Sequence, residues 1–394
     1  MNILQITKKP PFPLNDGESW AVRNLARGLI SHGAKVHLLS LVSDQYEVER
    51  WIHEVSDIYE SVDIIRYNTQ PTKRGALINL LSSKSYHQER FEGAVRAIDA
   101  LQDVSDYDVI LAETLYTMPL ALHIQKTINT PIILRAHNQE HLIWQEYSKG
   151  LDGLKKWYFN SQSRKLHRYE LDMVQKASGV LFVSKEDQEI VREVPEVRSE
   201  VIPIALDLAH ERRQASIGFS EPIILGFLGS LDWKPNIQGL QKFLNEIWPH
   251  LKKSYDDIRL IIAGKNPDRQ LLSIRDSDVS LIGQVEDSSG FISQLHALIV
   301  PLWSGSGARV KILETMSLGV PVLTTPKGCE GLDVIHERHL FIADKLQDWQ
   351  DSIQALDNQS LVSDMQSNAR RYISEDHSVE TIGLQAYHFI QGIS

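Results

Sequence analysis

Residues 281–332 read LIGQVEDSSGFISQLHALIVPLWSGSGARVKILETMSLGVPVLTTPKGCEGL, and the chemistry concentrates around two glycines, Gly305 and Gly307, that precede a helical pattern starting near Arg309. Glycines allow a tight turn there, and a helix start presents free N–H groups and the positive end of its dipole to an anion. Arg309 and Lys311 add two cations. Glu314 lies one helical turn further in, where a carboxylate can accept hydrogen bonds from a pair of sugar hydroxyls. A seat for phosphate beside a group that grips a polyol suits a nucleotide or a nucleotide sugar.

The first half carries a second set of candidates. Asp16 and Gly17 precede a helix, as an N-cap and a close-approach glycine would, and a plain turn explains them as well as an anion contact does. His137 follows the apolar strand PIILRA, so it should project from a carboxyl end. There an imidazole can hydrogen-bond a sugar hydroxyl and orient or deprotonate an acceptor. Asn138 and Glu140 stand beside it. Glu330, in the turn GCEG, is a further ligand candidate, whereas Cys329 in the same turn has no neighbouring base in sequence. Two D-x-D strings, at 106–108 and 276–278, lie outside the setting in which such a pair holds a metal, and no metal is expected.

These residues need elements to position them. Short β-branched or leucine-rich runs alternate with helical patterns along the chain, which is the pattern of parallel sheets covered on both faces. In the first half the strands are expected near 3–6, 35–40, 63–67, 108–112, 131–136 and 179–184, with a helix through Val22, Leu25, Ala26 and Leu29 that ends at Gly33. Residues 200–208 read as a last strand, followed by a polar linker. A second series begins at Pro222, with strands near 223–229, 258–264, 279–283, 297–302, 320–325 and 339–343, and the chain from about residue 345 is helical throughout. The expectation is therefore α/β with two doubly wound, Rossmann-like parallel-sheet domains, 1–208 and 209–377, facing across a cleft, with a terminal helix 378–394 crossing back to the first.

Bulk properties fit that frame. A chain of 394 residues is long for one core and suits two domains. The net charge of −10 argues against a nucleic-acid partner. A single cysteine leaves no internal disulfide or multi-thiolate zinc site, as expected of a cytoplasmic protein. The chain opens on a strand, and no run approaches the roughly 20 apolar residues of a membrane span.

Five segments in order resemble one family: PFPLNDGESWAVRNLARGL and LRAHNQEH in the first half, then FLGSLDWKPNIQGLQKFL, LIIAGKNP with IGQVED, and SGSGARVKILETMSLGVPVLTTPKGCEGL. The chain is similar to retaining glycosyltransferases of the GT-B fold, family 4. The resemblance implies a first, acceptor-side domain and a second, donor-binding one, and transfer from a UDP- or GDP-linked sugar, with no cofactor, to a carbohydrate or lipid-linked acceptor in surface polysaccharide or glycoconjugate synthesis. It also implies that Glu314 holds the nucleotide ribose. The family's other signature glutamate, with seven residues between the two, falls on Ser306, so an acid is missing from the grip on the sugar, although a hydroxyl can still bond to it.

Where the family sets an arginine and a lysine to neutralise the leaving diphosphate, this chain has Ser230 after Gly229, and Lys234 is the nearest lysine. The resemblance then leaves Arg309 and Lys311 to supply the missing charge, Gly17 to approach the donor phosphate, and His137 to serve as the cleft histidine. Rival readings on the same double fold are a nucleotide-sugar epimerase and a sugar-nucleotide-binding protein without turnover. For the latter, Ser306 is the best argument.

One stretch stands apart. LDGLKKWYFNSQSRKLHRYE, residues 151–170, interleaves Lys155, Lys156, Arg164, Lys165 and Arg168 with Trp157, Tyr158 and Phe159. Such a helix either packs its aromatics in a core with its cations solvated or rests peripherally on an anionic membrane, here the inner face. Residues 72–90 carry the same ambiguity.

Overall fold

The apolar runs form two sheets in which every paired strand is parallel, in a computed structural model that describes all residues except 15, 44–47, 99–106, 208–221, 306 and 308. The expected linker, the 208/209 boundary, Asp106 and Ser306 lie outside the described residues. The first sheet contains β1 (Asn2–Thr7), β2 (Lys35–Val42), β3 (Ser61–Arg66), β4 (Val109–Glu113), β5 (Ile132–Ala136), β6 (Gly179–Phe182) and β7 (Ser199–Val201), in the order β3-β2-β1-β4-β5-β6-β7. The second contains β8 (Ile223–Leu228), β9 (Ile258–Ala263), β10 (Val279–Gly283), β11 (Ala297–Val300), β12 (Val322–Thr324) and β13 (Phe341–Ile342), in the order β10-β9-β8-β11-β12-β13. Both are doubly wound. The order reverses between β1 and β4 in one sheet and between β8 and β11 in the other, and in such sheets ligands bind beyond the strands' carboxyl ends at that reversal.

The strands are apolar without alternation because both of their faces are covered. In β4, Ile110 and Ala112 enter one buried cluster, while Val109 and Leu111 enter another on the opposite face. The second sheet has its own core, built on Leu225, Phe227, Leu260, Ile262 and Ile299 and closed by Phe243, Trp248 and Trp349.

Three strands are shorter than their apolar patterns by three residues or more. The run at 200–208 contributes only Ser199–Val201, and Leu206 forms an isolated bridge to Ser378. In the run at 320–325, Pro321 has no N–H for a ladder, and pairing covers Val322–Thr324. In the run at 339–343 only Phe341–Ile342 is strand.

Two compact units result, one built mainly from Met1–Ala205 with Val379–Ser394, the other mainly from Leu206–Gly305 with Arg309–Ser378. The terminal helix Val379–Gln391 buries Ile382, Ala386, Phe389 and Ile390 and lies against the helix Gly17–Ser31. Glycines on both helices permit this approach: a Cβ on Gly28 would lie 2.6 Å from the Val379 carbonyl oxygen and 2.7 Å from the Cα of Gly383. Gly28→Leu is expected to force the helices apart and destabilise the first unit by about 1–3 kcal/mol, measured by urea unfolding. A variant as stable as the parent would show that this contact is dispensable. No helix among the described residues is long and apolar enough to cross a membrane.

Candidate active site

In the second unit the polar groups collect where β8 and β11 diverge. β8 ends at Leu228, and Gly229 follows with its N–H bonded to the Ala263 carbonyl at 3.1 Å. The helix Lys234–Lys242 starts nearby, with Lys234 as its first residue and a proline in its first turn. From that turn Asn236 reaches back, donating its Nδ2 to the Ser230 carbonyl at 2.8 Å.

Lys311, in the helix Val310–Ser317, donates its Nζ to Asn236 Oδ1 at 3.3 Å and sits 4.6 Å from the centre of the Phe227 ring. Gly229 leaves the room for this, since a Cβ there would lie 2.9 Å from both Lys311 Nζ and Asn236 Nδ2. Among the described residues no carboxylate pairs with Lys311. Burial first, and then the Arg309 guanidinium, pull its ammonium down to about 7 from the ordinary 10.5. A buried ammonium with a second cation as its charged neighbour gains from an arriving anion.

Arg309 precedes the helix as its N-cap residue and is buried, and its Nη2 holds the carbonyls of Gly305 at 3.1 Å and Lys327 at 3.3 Å. Gly305 and Gly307 have φ of +92° and +100°, the left-handed backbone for which glycine is suited. Glu314 points to another side of the helix from Lys311. Its Oε1 accepts from Ser288 Oγ and, at 3.5 Å, from Ser289 Oγ, and burial pushes its carboxyl up while these bonds pull it back. Helical spacing allows an ordinary Lys311–Glu314 surface pair; each side chain has a different neighbour instead. Glu330 is exposed and ion-paired with Lys327. Cys329 is buried, and desolvation raises its thiol, which disfavours a reactive thiolate.

In the first unit β1 and β4 diverge beside the end of β5. His137 lies just past β5, its Nε2 2.7 Å from Glu113 Oε2 at the end of β4. Glu113 is fully buried and held from three sides. Its Oε1 accepts from Gln5 Nε2 at 2.6 Å and lies 3.5 Å from Arg135 Nη1, whose own anchor is the Ala21 carbonyl at 2.8 Å. Burial acts to raise the Glu113 carboxyl, but Arg135 and the His137 bond prevail and hold it below the ordinary carboxylate range.

Asn138 follows in the loop. Glu140 opens the helix Glu140–Lys149, accepts from Tyr116 Oη at 2.9 Å, and is pushed up to about 7 by burial first, against the opposing charge of Lys8. Asp16 is the N-cap of the helix that begins at Gly17: it accepts from the Ser19 N–H at 3.0 Å and pairs with Lys9 at 2.6 Å.

Of the residues in these two clusters, the sequence singles out His137, Arg309, Lys311, Glu314 and Glu140 as candidates, but not their neighbours Glu113, Arg135, Gln5, Asn236 and Ser288. Glu113 left one trace, as a lone acid closing the apolar run VILA. The others left none.

Residues 222–358 match the family described as glycosyl transferases group 1, and residues 16–210 match glycosyltransferase family 4. The chain belongs to the GT-B glycosyltransferases. Among solved GT-B neighbours, sucrose-phosphate synthase from Thermosynechococcus elongatus is 17% identical with a TM-score of 0.69, covering 100% of this chain and 99% of its own. HepE from Anabaena, in complex with UDP and glucose, is 15% identical with a TM-score of 0.65 and covers 100% of each chain. A protein from the cps region of Klebsiella pneumoniae is 24% identical over 292 residues, 70% of this chain and 72% of its own.

Proposed function

We propose that this GT-B glycosyltransferase is a retaining enzyme that moves a sugar from a nucleoside diphosphate sugar to a carbohydrate or lipid-linked acceptor. The observation that carries the reading is the buried Lys311 ammonium beside Arg309, with no carboxylate among the described residues to pair with it. The UDP held by HepE supports a nucleotide donor, and the cps-region relative supports a place in surface polysaccharide synthesis.

In the proposed step the bond from the anomeric carbon to the diphosphate oxygen breaks as the acceptor oxygen bonds to the same face. The acceptor proton passes to the departing phosphate oxygen. Lys311 and Arg309, with Lys234 at the start of its helix, meet the charge that grows on that oxygen, and charges fixed in advance act strongly there without a metal ion. The ribose hydroxyls fall to Glu314, and the main chain at Gly229 and Gly307 lets the diphosphate approach. His137 orients the acceptor hydroxyl, with Asn138 and Glu140 beside it.

Donor hydrolysis and transfer, followed over UDP-, GDP- and ADP-sugars after a thermal-shift screen, provide the test. Arg309→Ala and Glu314→Ala are each expected to lower turnover about 10²-fold, the cost typical of losing one preorganised contact. NMR of the product should show the donor's anomeric configuration. Unchanged turnover in both variants removes the site assignment, and an inverted product removes retention alone.

A further inference from the structure

In a chain of net charge −10, two stretches of the first unit, residues 67–88 and 153–169, contain no acid at all. The structure brings them together. Asn79, buried after the short helix Lys73–Ile78, accepts from Gln162 Nε2 at 2.8 Å through its side chain and from Lys165 Nζ at 3.3 Å through its carbonyl. Both partners lie on the long helix Gly153–Lys176.

This junction leaves large apolar side chains in solvent. Leu81 is 97% exposed, Leu154 86% and Trp157 55%, with Leu77 and Ile78 also exposed. On the long helix the exposed Leu154, Trp157, Arg164 and Arg168 are spaced by three, seven and four residues, all helical repeats, and so share one stripe. The aromatics have divided: Phe159 stacks on Trp144 with ring centres 5.2 Å apart, while Trp157 stays outside. Around the apolar groups stand the exposed cations Lys73, Arg74, Lys155 and Lys156. One exposed acid, Asp152, stands at the N-cap of the long helix, outnumbered by these four cations, while Glu89 is engaged by Asn79 and Ser82 and Glu92 by Lys84.

We infer that this face, carrying Leu77, Ile78, Leu81, Leu154 and Trp157 within a ring of cations, docks on an anionic lipid surface. Apolar side chains flanked by Lys and Arg bind there by burial and charge together. A nucleic acid would use the cations but give the leucines no partner. The inference concerns where the enzyme works and does not rest on the donor assignment.

The full-length protein is to be co-sedimented with phosphatidylcholine vesicles, with and without phosphatidylglycerol. Anionic vesicles should bind about tenfold more protein, and raising the salt well above 0.1 M, where screening already acts within about 10 Å, should remove most of that excess. The double variants Leu81→Ser/Trp157→Ser and Lys155→Glu/Lys156→Glu should each lose about tenfold in vesicle binding, while their circular dichroism melts and donor hydrolysis match the parent. Equal binding to neutral vesicles, or parental binding by both variants, overturns the proposal. So does a parent that is dimeric in solution and becomes monomeric in Leu81→Ser/Trp157→Ser, since a second copy would then own the face. Donor hydrolysis is read in the same samples, so a failure of vesicle binding is distinct from a failure of the transferase reading.

Discussion

Lys311→Met should lower kcat/KM for transfer by about 10²- to 10³-fold, the range for removing one charge-stabilising donor, and at the same time make the protein more stable at neutral pH. The two effects have one origin. The Lys311 ammonium lies against the Phe227 ring and Asn236 with Arg309 as its charged neighbour, and its pKa falls to about 7 from 10.5. Below pH 7 the lysine is charged in both the folded and unfolded chain, so the full cost of desolvating it is present. Between about 7 and 10.5 the folded protein releases the proton while the unfolded chain keeps it. The unfolded state then binds more protons, and stability rises with pH. Above 10.5 the cost has vanished.

Methionine removes that cost, so the gain in Tm should be largest at pH 7 and below and should shrink toward pH 10. Donor binding follows the same proton. A diphosphate favours the charged lysine, so Kd should weaken as pH rises above 7, with proton uptake visible by calorimetry in buffers of different ionisation enthalpy. A Lys311→Met enzyme with parental turnover would remove the leaving-group role outright. Lost turnover without a stability gain would show that the ammonium is not desolvated in the free protein.

Glu113→Ala should be the most destabilising single change in the first unit, at about 3–5 kcal/mol, because it leaves the fully buried Arg135 without its carboxylate. Gln5 and His137 lose a partner in the same step. The native carboxyl sits below the ordinary range, so its contribution is present above pH 4.5 and is lost as pH falls through the lower folded value. Urea titrations at pH 7 and pH 4 should show the difference between parent and variant shrinking at acid pH. Glu113→Gln keeps the shape and should preserve more stability while lowering kcat, since the amide no longer fixes the His137 ring as a carboxylate does. Adding Arg135→Met should recover part of the stability but none of the rate. If Glu113→Gln keeps the parental rate and pH profile, the carboxylate serves the fold and not His137.

Much of this was legible in the chain. Continuous apolar runs such as VILAE and IILGFL mark strands buried on both faces, and their alternation with helical patterns permits few architectures. Gly305 and Gly307 before Arg309 give the turn and the helix start without any coordinates. The split of the aromatic helix was not readable, because Trp157 and Phe159 differ only in phase against the neighbouring helix that bears Trp144.

Composition and period thus determined that two parallel sheets form and which loops carry cations and glycines, since both are local properties of the backbone and its solvation. Only the tertiary structure decided that Lys311 lies beneath Gly229 against Asn236, 75 positions away in the chain, rather than beside Glu314, and that Glu113, 24 positions before His137, holds its ring. Partners so far apart in sequence meet through strand order. Strand order is set by how whole layers pack, and no local pattern records it.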